Sequence, residues 1–325
     1  MTGYEALRTN AAWIDLSARG KIRVSGEDRA RLLHAMSTNH VAGLQPKDGL
    51  YAFFLTAQGR IIADACIYNL GETILLDTEP ETADKLREHL DKYIIADDVT
   101  LEDETAQWAV VAIEGPGSLD LASTLGLAVP DKQYSLATWS LATGSSATGK
   151  DAFAVRVAST GSIGIRVFMP LPQKDDLMAR LPVPEATSME ARIVRLENGV
   201  PRFGEDLSER YLVQETQQFH AVHDSKGCYV GQEIVERVRS RGQVHRLLTS
   251  IRVKSDTPPP PGSKLSANGK DVAEITSAAY SPALGEVVAL GYVRAEVLQS
   301  RPELILPGSE GPVTAYLPQS PSSLP

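Results

Sequence analysis

The sequence predicts an α+β protein, with two related strand-and-helix segments followed by a small all-β module. Three observations predict it. A run of strand-like segments precedes an amphipathic helix in the first third of the chain, and a second strand-then-helix segment begins near Thr105. After His245 the texture changes to alternating strands broken by tight-turn residues.

Taken in order, Val24-Ser25-Gly26-Glu27-Asp28 reads as a strand end and a helix start, with Ser25 as N-cap and Asp28 three residues on. Leu32, Leu33 and Met36 then share one helix face. Strands are expected over 51–56, 61–70 and 73–77, joined by turns at Gln58-Gly59 and Gly71-Glu72, which makes an antiparallel meander. A helix over 80–93 places Ala83, Leu86, Leu90 and Tyr93 on a buried face. The second segment repeats the theme: a strand over 108–113, the turn Gly115-Pro116-Gly117, a short helix through Leu119 and Leu125, strands over 153–157 and 163–169, and a helix over 188–198. Beyond His245, strands are expected over 247–253, 273–277 and 287–293. Pro258 and Gly262 bracket a break, and Asn268-Gly269 marks a hairpin. This module reads as a partly closed barrel. The expected domains are 1–104, 105–244 and 245–316, with a Pro- and Ser-rich tail over 317–325 expected to be disordered.

A chain of 325 residues that is 42% hydrophobic can bury more than one core. Its formal net charge of −9 argues against a protein that tracks nucleic-acid phosphates, because that affinity comes from Lys and Arg. Its longest apolar stretch, 61–67, is interrupted by Asp64 and falls far short of the roughly 20 residues that cross a bilayer. The N-terminus lacks the apolar core of a secretory signal, so a cytoplasmic protein is expected. Two cysteines, Cys66 and Cys228, do not make a disulfide framework and are expected to be free thiols.

The segment most informative about chemistry is Lys226-Gly227-Cys228-Tyr229-Val230-Gly231-Gln232-Glu233, followed by a helix-like run. A cysteine just before a helix meets unpaired amide N–H groups, and Lys226 adds a nearby cation; both favour a thiolate. The residues alone leave a second reading open, in which Cys228 is a small buried apolar side chain.

This segment resembles the signature of YgfZ-type proteins, relatives of the glycine cleavage T-protein that support iron–sulfur enzymes. Residues 24–37 and 49–64 resemble the start of the T-protein fold, and 113–117 its Gly-Pro turn. Arg195-Leu196-Glu197-Asn198-Gly199 resembles the family's Arg-(Leu/Ile)-Glu-x-Gly segment. The resemblance implies a ring of two related α/β domains and a C-terminal β-barrel around a central folate pocket, with tetrahydrofolate or a derivative as cofactor. It also implies a contact from Glu197 to the pterin, since a carboxylate can accept two N–H donors from a guanidine-like edge. Tyr51 and Phe53, on one strand face, are candidates to pack on the folate rings, with core packing as the alternative. Gln232, Lys226 and Tyr229 of the signature complete the cofactor-binding candidates.

T-proteins carry an Arg where this chain has Gln232, so Cys228 with Gln232 is the YgfZ form. T-proteins also use an aspartate near the folate nitrogen, in a context that Asp97-Asp98-Val99 resembles. The catalytic candidates are therefore Cys228, acting on iron–sulfur client enzymes or assembly proteins, and Asp98, acting in one-carbon transfer or demethylation. The chain departs from the YgfZ pattern at Val213-Gln214-Glu215, where Pro-Gln-Glu is common, and near Asp224. No metal site is expected, because His220, His223 and Cys228 are an incomplete and loosely spaced set. A cysteine hydrolase with His220, His223 or His245 as base has no residue to orient the histidine. The basic run Arg237, Arg239, Arg241, His245 and Arg246 either attracts a folate tail or an acidic partner, or is a solvated face balanced by Glu233 and Glu236.

Overall fold

The computed structural model describes residues 1–139, 152–242, 244–300, 302–307 and 313–316, so the tail over 317–325 lies outside the described residues. The chain divides into two compact units: Met1–Ala158 with Ser162–Thr187 and His220–Gln232, and Ser159–Gly161 with Ser188–Phe219 and Glu233–Pro325.

The first unit opens with α1 (Gly3–Thr9), started by a capping box in which Thr2 and Glu5 each accept the other's backbone N–H. Then come β1 (Ala12–Asp15), β2 (Gly20–Ser25), α2 (Arg29–Met36) and the meander β3 (Gly49–Leu55), β4 (Ile61–Asn69) and β5 (Ile74–Thr78). The chain continues through α3 (Ala83–Asp91), β6 (Thr100–Asp103), β7 (Trp108–Glu114), α4 (Ser118–Thr124), β8 (Leu136–Trp139), β9 (Ala152–Val155), β10 (Gly164–Pro170) and α5 (Lys174–Met178). Two antiparallel sheets result, in the orders β3-β4-β5-β2-β6 and β1-β7-β10-β9-β8.

Two local expectations are corrected. The N-cap of α2 is Asp28 and not Ser25, because Ser25 is still paired in β2 and Gly26, at φ +98°, makes the turn that follows. The helix after the meander stops at Asp91, which leaves Tyr93 exposed and not on the buried face; Leu86 and Leu90 alone carry that face into the core.

Period-two alternation decides how the sheets pack. On β4, Ala63, Ala65 and Ile67 enter one core with Leu32, Leu33 and Leu86, while Cys66 and Tyr68 enter another. On β7, Val111 and Ile113 pack with Leu119 and Leu177, while Trp108 and Val110 join Cys66 and Tyr68. The two sheets thus share an inner layer, and each has helices on its outer face. In that layer Asp77 of β5 is 0% exposed and accepts from Arg19 Nε at 2.5 Å and from Arg166 of β10 at 2.6 Å. Burial would raise this carboxyl, but Arg19 and Arg166 outweigh it and hold it below its ordinary value.

The second unit contains α6 (Ser188–Glu197), α7 (Gln232–Arg241, whose first residue belongs to the first unit), β11 (Arg246–Val253), β12 (Lys264–Ala267), β13 (Lys270–Ser281), β14 (Glu286–Arg294), α8 (Ala295–Ser300) and β15 (Val313–Tyr316). Asn268 at φ +51° and Gly269 at φ +72° form the expected hairpin between β12 and β13. The sheet order is β12-β13-β14-β11-β15, and β13 bulges between Ile275 and Ser277. Single bridges join Ser266 of β12 to Ile305 and Val313 of β15 to Leu304, so one short segment touches both edges and closes the sheet in part. On α6, Leu196 packs with Leu248, Val288 and Leu290.

Replacing Asp77 leaves two buried guanidinium groups without their carboxylate, so Asp77→Asn should cost about 3–5 kcal/mol of stability at neutral pH in urea unfolding. Because the folded carboxyl titrates below its unfolded value, the native state binds fewer protons through that window. The contribution is present above pH of about 4 and lost as the pH falls through the folded value, so the difference between wild type and variant should shrink on acidification.

Candidate functional site

The signature segment docks on the C-terminal end of α2. Val230 N–H donates to Ala35 O at 3.0 Å, and His223 N–H to Thr38 O at 3.0 Å. The Lys226 ammonium donates to the carbonyls of His34 and Ser37, which the helix end leaves without intrahelical partners, and lies 4.8 Å over the Tyr229 ring. His34 completes the contact: its Nδ1 accepts from Ala42 N–H, so the proton sits on Nε2 and is donated to Lys226 O at 2.9 Å. Burial lowers Lys226 to about 7, while the two carbonyls favour its charged form. Lys226 thus anchors the signature segment on the end of α2.

Lys226 and Tyr229 are buried, whereas Gly227 and Cys228 between them are exposed. Gly227 and Gly231 have φ of +96° and +84°, and a Cβ on Gly231 would lie 2.7 Å from Thr56 O. A loop anchored on both sides therefore carries the thiol into solvent, four residues before α7, and half-buried Gln232 starts that helix. Cys66, the other free thiol, is buried, and burial pushes it up to about 11.

A second cluster lies on the meander. The β3–β4 register sets Tyr51 opposite Cys66 and Phe53 opposite Asp64, and the Tyr51 hydroxyl donates to Asp64 Oδ2 at 2.7 Å. Asp64 is 8% exposed; burial and the neighbouring Glu79 raise it to about 6, against the pull of the Tyr51 hydrogen bond and Arg19. Burial and Asp64 raise Tyr51 well above its ordinary value, so it stays a donor. The Tyr51 and Phe53 rings meet edge to face with centroids 5.5 Å apart, and the Tyr51 ring stacks on His220 at 5.4 Å. Phe53 is 0% exposed. A carboxyl that titrates near 6 is mostly ionised at neutral pH, yet exchanges protons easily, as general acid–base work requires.

Asp98 sits elsewhere in the first unit. It is exposed, and its carboxylate accepts Glu27 N–H at 2.9 Å, while its own N–H donates to Asp28 Oδ2 at 3.0 Å, just ahead of α2. Glu197 ends α6 in the second unit, half-buried, and accepts from Ser281 Oγ at 2.5 Å. His220 and His223 diverge, the first onto Tyr51 and the second onto His40 at 5.0 Å. Among the described residues no group of three His, Cys, Asp or Glu side chains could hold a metal ion. In the basic run, Arg237 pairs with Glu233 and Arg239 with Glu236, as on a solvated face, and Arg246 pairs with Glu215. The Arg241 side chain lies outside the described residues.

Sequence reasoning did not single out Asp64 as a site residue. The signal for Asp64 was in view: one acid inside the apolar run 61–67, where a charge needs a reason.

Residues 2–226 match the family model of the GCVT N-terminal domain, and residues 246–317 match that of the glycine cleavage T-protein C-terminal barrel domain. The chain belongs to the glycine cleavage T-protein family. The family binds folate, and its aminomethyltransferases use tetrahydrofolate. This T-protein relative is 28% identical to a putative chloroplastic transferase of Arabidopsis thaliana, over 89% of this chain and 67% of that one. It is also 28% identical to a probable aminomethyltransferase of Natronomonas pharaonis, over 93% of this chain and 85% of that one. The solved structure of glycine cleavage system aminomethyltransferase T from Bartonella henselae superposes with a TM-score of 0.84 at 19% identity, covering 98% of this chain and 88% of that one. The T-protein fold expected from the sequence is thereby borne out. Among the described residues no helix is long and apolar enough to cross a membrane.

Asp64 makes the T-protein cluster a source of instability. Its folded carboxyl titrates at about 6, above its unfolded value of 3.8, so the native state holds the extra proton between those values and stability falls as pH rises through them. Asp64→Asn, which can still accept from Tyr51, should therefore stabilise the protein by up to about 2–3 kcal/mol at pH above 7. The gain should vanish near pH 4 when denaturant unfolding is measured across pH.

Proposed function

We propose that this protein binds tetrahydrofolate or a derivative and supports the assembly, maintenance or repair of iron–sulfur clusters in client enzymes, as a YgfZ-type member of its family. The observation that carries this reading is the presentation of Cys228. The loop buries Lys226 and Tyr229 as anchors, uses two glycines at positive φ, and leaves one thiol in solvent where a partner protein can reach it. Such a thiol acts on a client or assembly protein, by ligating iron or by thiol exchange, and not on folate. A reducing compartment such as the cytoplasm keeps it available.

The residues fit a reduced folate by the chemistry of their donors and acceptors. Glu197 has a carboxylate for an N–H edge, and Asp64 is an acceptor that also trades protons near neutral pH. Tetrahydrofolate, when bound, supplies a carrier for one-carbon units. Of the other cofactor-binding candidates, Gln232 and Tyr51 are assigned here to ligand contact. Phe53, Lys226 and Tyr229 are assigned to the scaffold beneath it, since each is buried against its own neighbours.

A second reading, aminomethyl transfer, is favoured by the buried Asp64–Tyr51 pair and by the names of the relatives. Its acid–base group is Asp64 in preference to Asp98, whose carboxylate serves the turn before α2.

The two readings separate in cells that lack this protein, scored by the activity of an iron–sulfur enzyme after complementation. Cys228→Ala should fail, and Asp64→Asn and Asp98→Asn should restore activity. Rescue by Cys228→Ala together with failure of Asp64→Asn would reject the thiol reading in favour of transfer. Calorimetric titration with tetrahydrofolate should show Glu197→Gln binding about 10-fold or more weakly, the loss expected when a charged hydrogen-bond acceptor is neutralised.

A further inference from the structure

We propose that His220 is a positioning residue whose ring holds the Tyr51 phenol against Asp64, and thereby sets how firmly that carboxylate holds its proton. The proposal deepens the folate reading, since it rests on Asp64 as the acceptor of that site that trades protons near neutral pH.

The stack is built into the backbone and is not a chance meeting of side chains. Thr38 and Asn39, just after α2, clip strand β3 to the turn that carries His220. Thr38 N–H donates to Phe53 O at 3.0 Å, and Phe53 N–H returns a bond to Thr38 Oγ1 at 2.9 Å. The same hydroxyl donates to Ala221 O at 2.6 Å. Asn39 Nδ2 donates to Tyr51 O at 2.9 Å and to His220 O at 3.0 Å. One carboxamide nitrogen therefore fixes the separation of the two residues whose rings stack, and one hydroxyl fixes their neighbours. With the backbones held, the rings lie 5.4 Å apart and 23° from parallel.

A phenol hydrogen-bonded to a buried carboxylate could also turn about its side-chain torsions and lose that bond. Phe53, packed edge to face against the phenol at 5.5 Å and 68°, blocks one direction. His220 covers a face. Near-parallel stacking presents the face of the imidazole to Tyr51 and not a ring nitrogen to its hydroxyl, so His220 constrains the phenol without competing for its proton. His220 is exposed as a residue, yet partial desolvation of its ring lowers it below its ordinary value, which keeps the ring neutral around pH 7 and leaves its packing as its means of action. The other titratable groups that act on this cluster are Glu79 and Arg19 on Asp64, and Tyr134 and Cys66 on Tyr51. None of these four belongs to the turn of His220.

The test is a titration of Asp64 in the full-length protein, followed by the NMR signal of carboxyl-labelled aspartate and assigned by its loss in Asp64→Asn. Tyr51→Phe removes a hydrogen bond to the ionised form and should raise the midpoint by about one unit. His220→Ala should raise it in the same direction by about half a unit, a 3-fold gain in proton affinity, and His220→Phe, which keeps a ring, should restore the wild-type midpoint. In a Tyr51→Phe background His220→Ala should add nothing. The proposal is overturned if His220→Ala leaves the midpoint unchanged, or if its shift persists without the Tyr51 hydroxyl. If His220→Ala does not fold, His220→Leu, with bulk but no ring, is held to the same two criteria. Because the titration needs no ligand, failure of tetrahydrofolate to bind would remove the folate reading while leaving the positioning role to stand or fall by itself.

Discussion

The first unit depends on the way Asp77 is held between Arg19 and Arg166. Its two sheets face each other through a layer of large apolar side chains, and a single carboxylate bridges strand β5 of one sheet to strand β10 of the other. Apolar contact alone is tolerant of small slips. A buried ionic bridge is not, since displacing either guanidinium leaves an uncompensated charge in a dry layer. The bridge therefore pins the relative placement of β4 and β5 against the second sheet, and with β4 the position of Asp64.

Asp64 and Asp77 illustrate two fates of an acid in an apolar strand. Asp77 has two arginines and lies below its ordinary value; Asp64 has a phenol, a distant arginine and the repulsion of Glu79, and lies above it. The first is a fastening. The second is held at a cost to stability, because burial and Glu79 outweigh the groups that favour its charged form. The signature loop follows a similar division of labour, with Lys226 and Tyr229 as anchors and Cys228 left accessible.

Much of the fold was legible in the sequence because its signals are local. The meander over β3 to β5, the Gly59 and Gly71 turns, the Asn268-Gly269 hairpin and the helices α6 and α7 all follow from periodicity and turn residues. The failures were local as well: Ser25 looked like an N-cap, but strand pairing claimed it, and Tyr93 continued a helical pattern past the point where the helix stops. The candidate site was less legible. That Lys226 would turn into the end of α2 depends on a contact 192 residues back along the chain, which no spacing rule records. Asp64 read as an interruption of an apolar run, since its partner Tyr51 is recognisable only once the β3–β4 register is known. His220 was visible as a titratable side chain, while its stacking on Tyr51 depends on Thr38 and Asn39, which carry no motif of their own.

The bridges at Ser266 and Val313 bear on self-association. A five-stranded sheet ordinarily offers two rows of unsatisfied backbone groups at which another chain can add a strand. Here the segment at Leu304 and Ile305 occupies part of both rows at once. The C-terminal module thus carries its own blocking segment, and a truncation before Leu304, which would remove β15 as well, would leave β12 and β11 as two sticky borders.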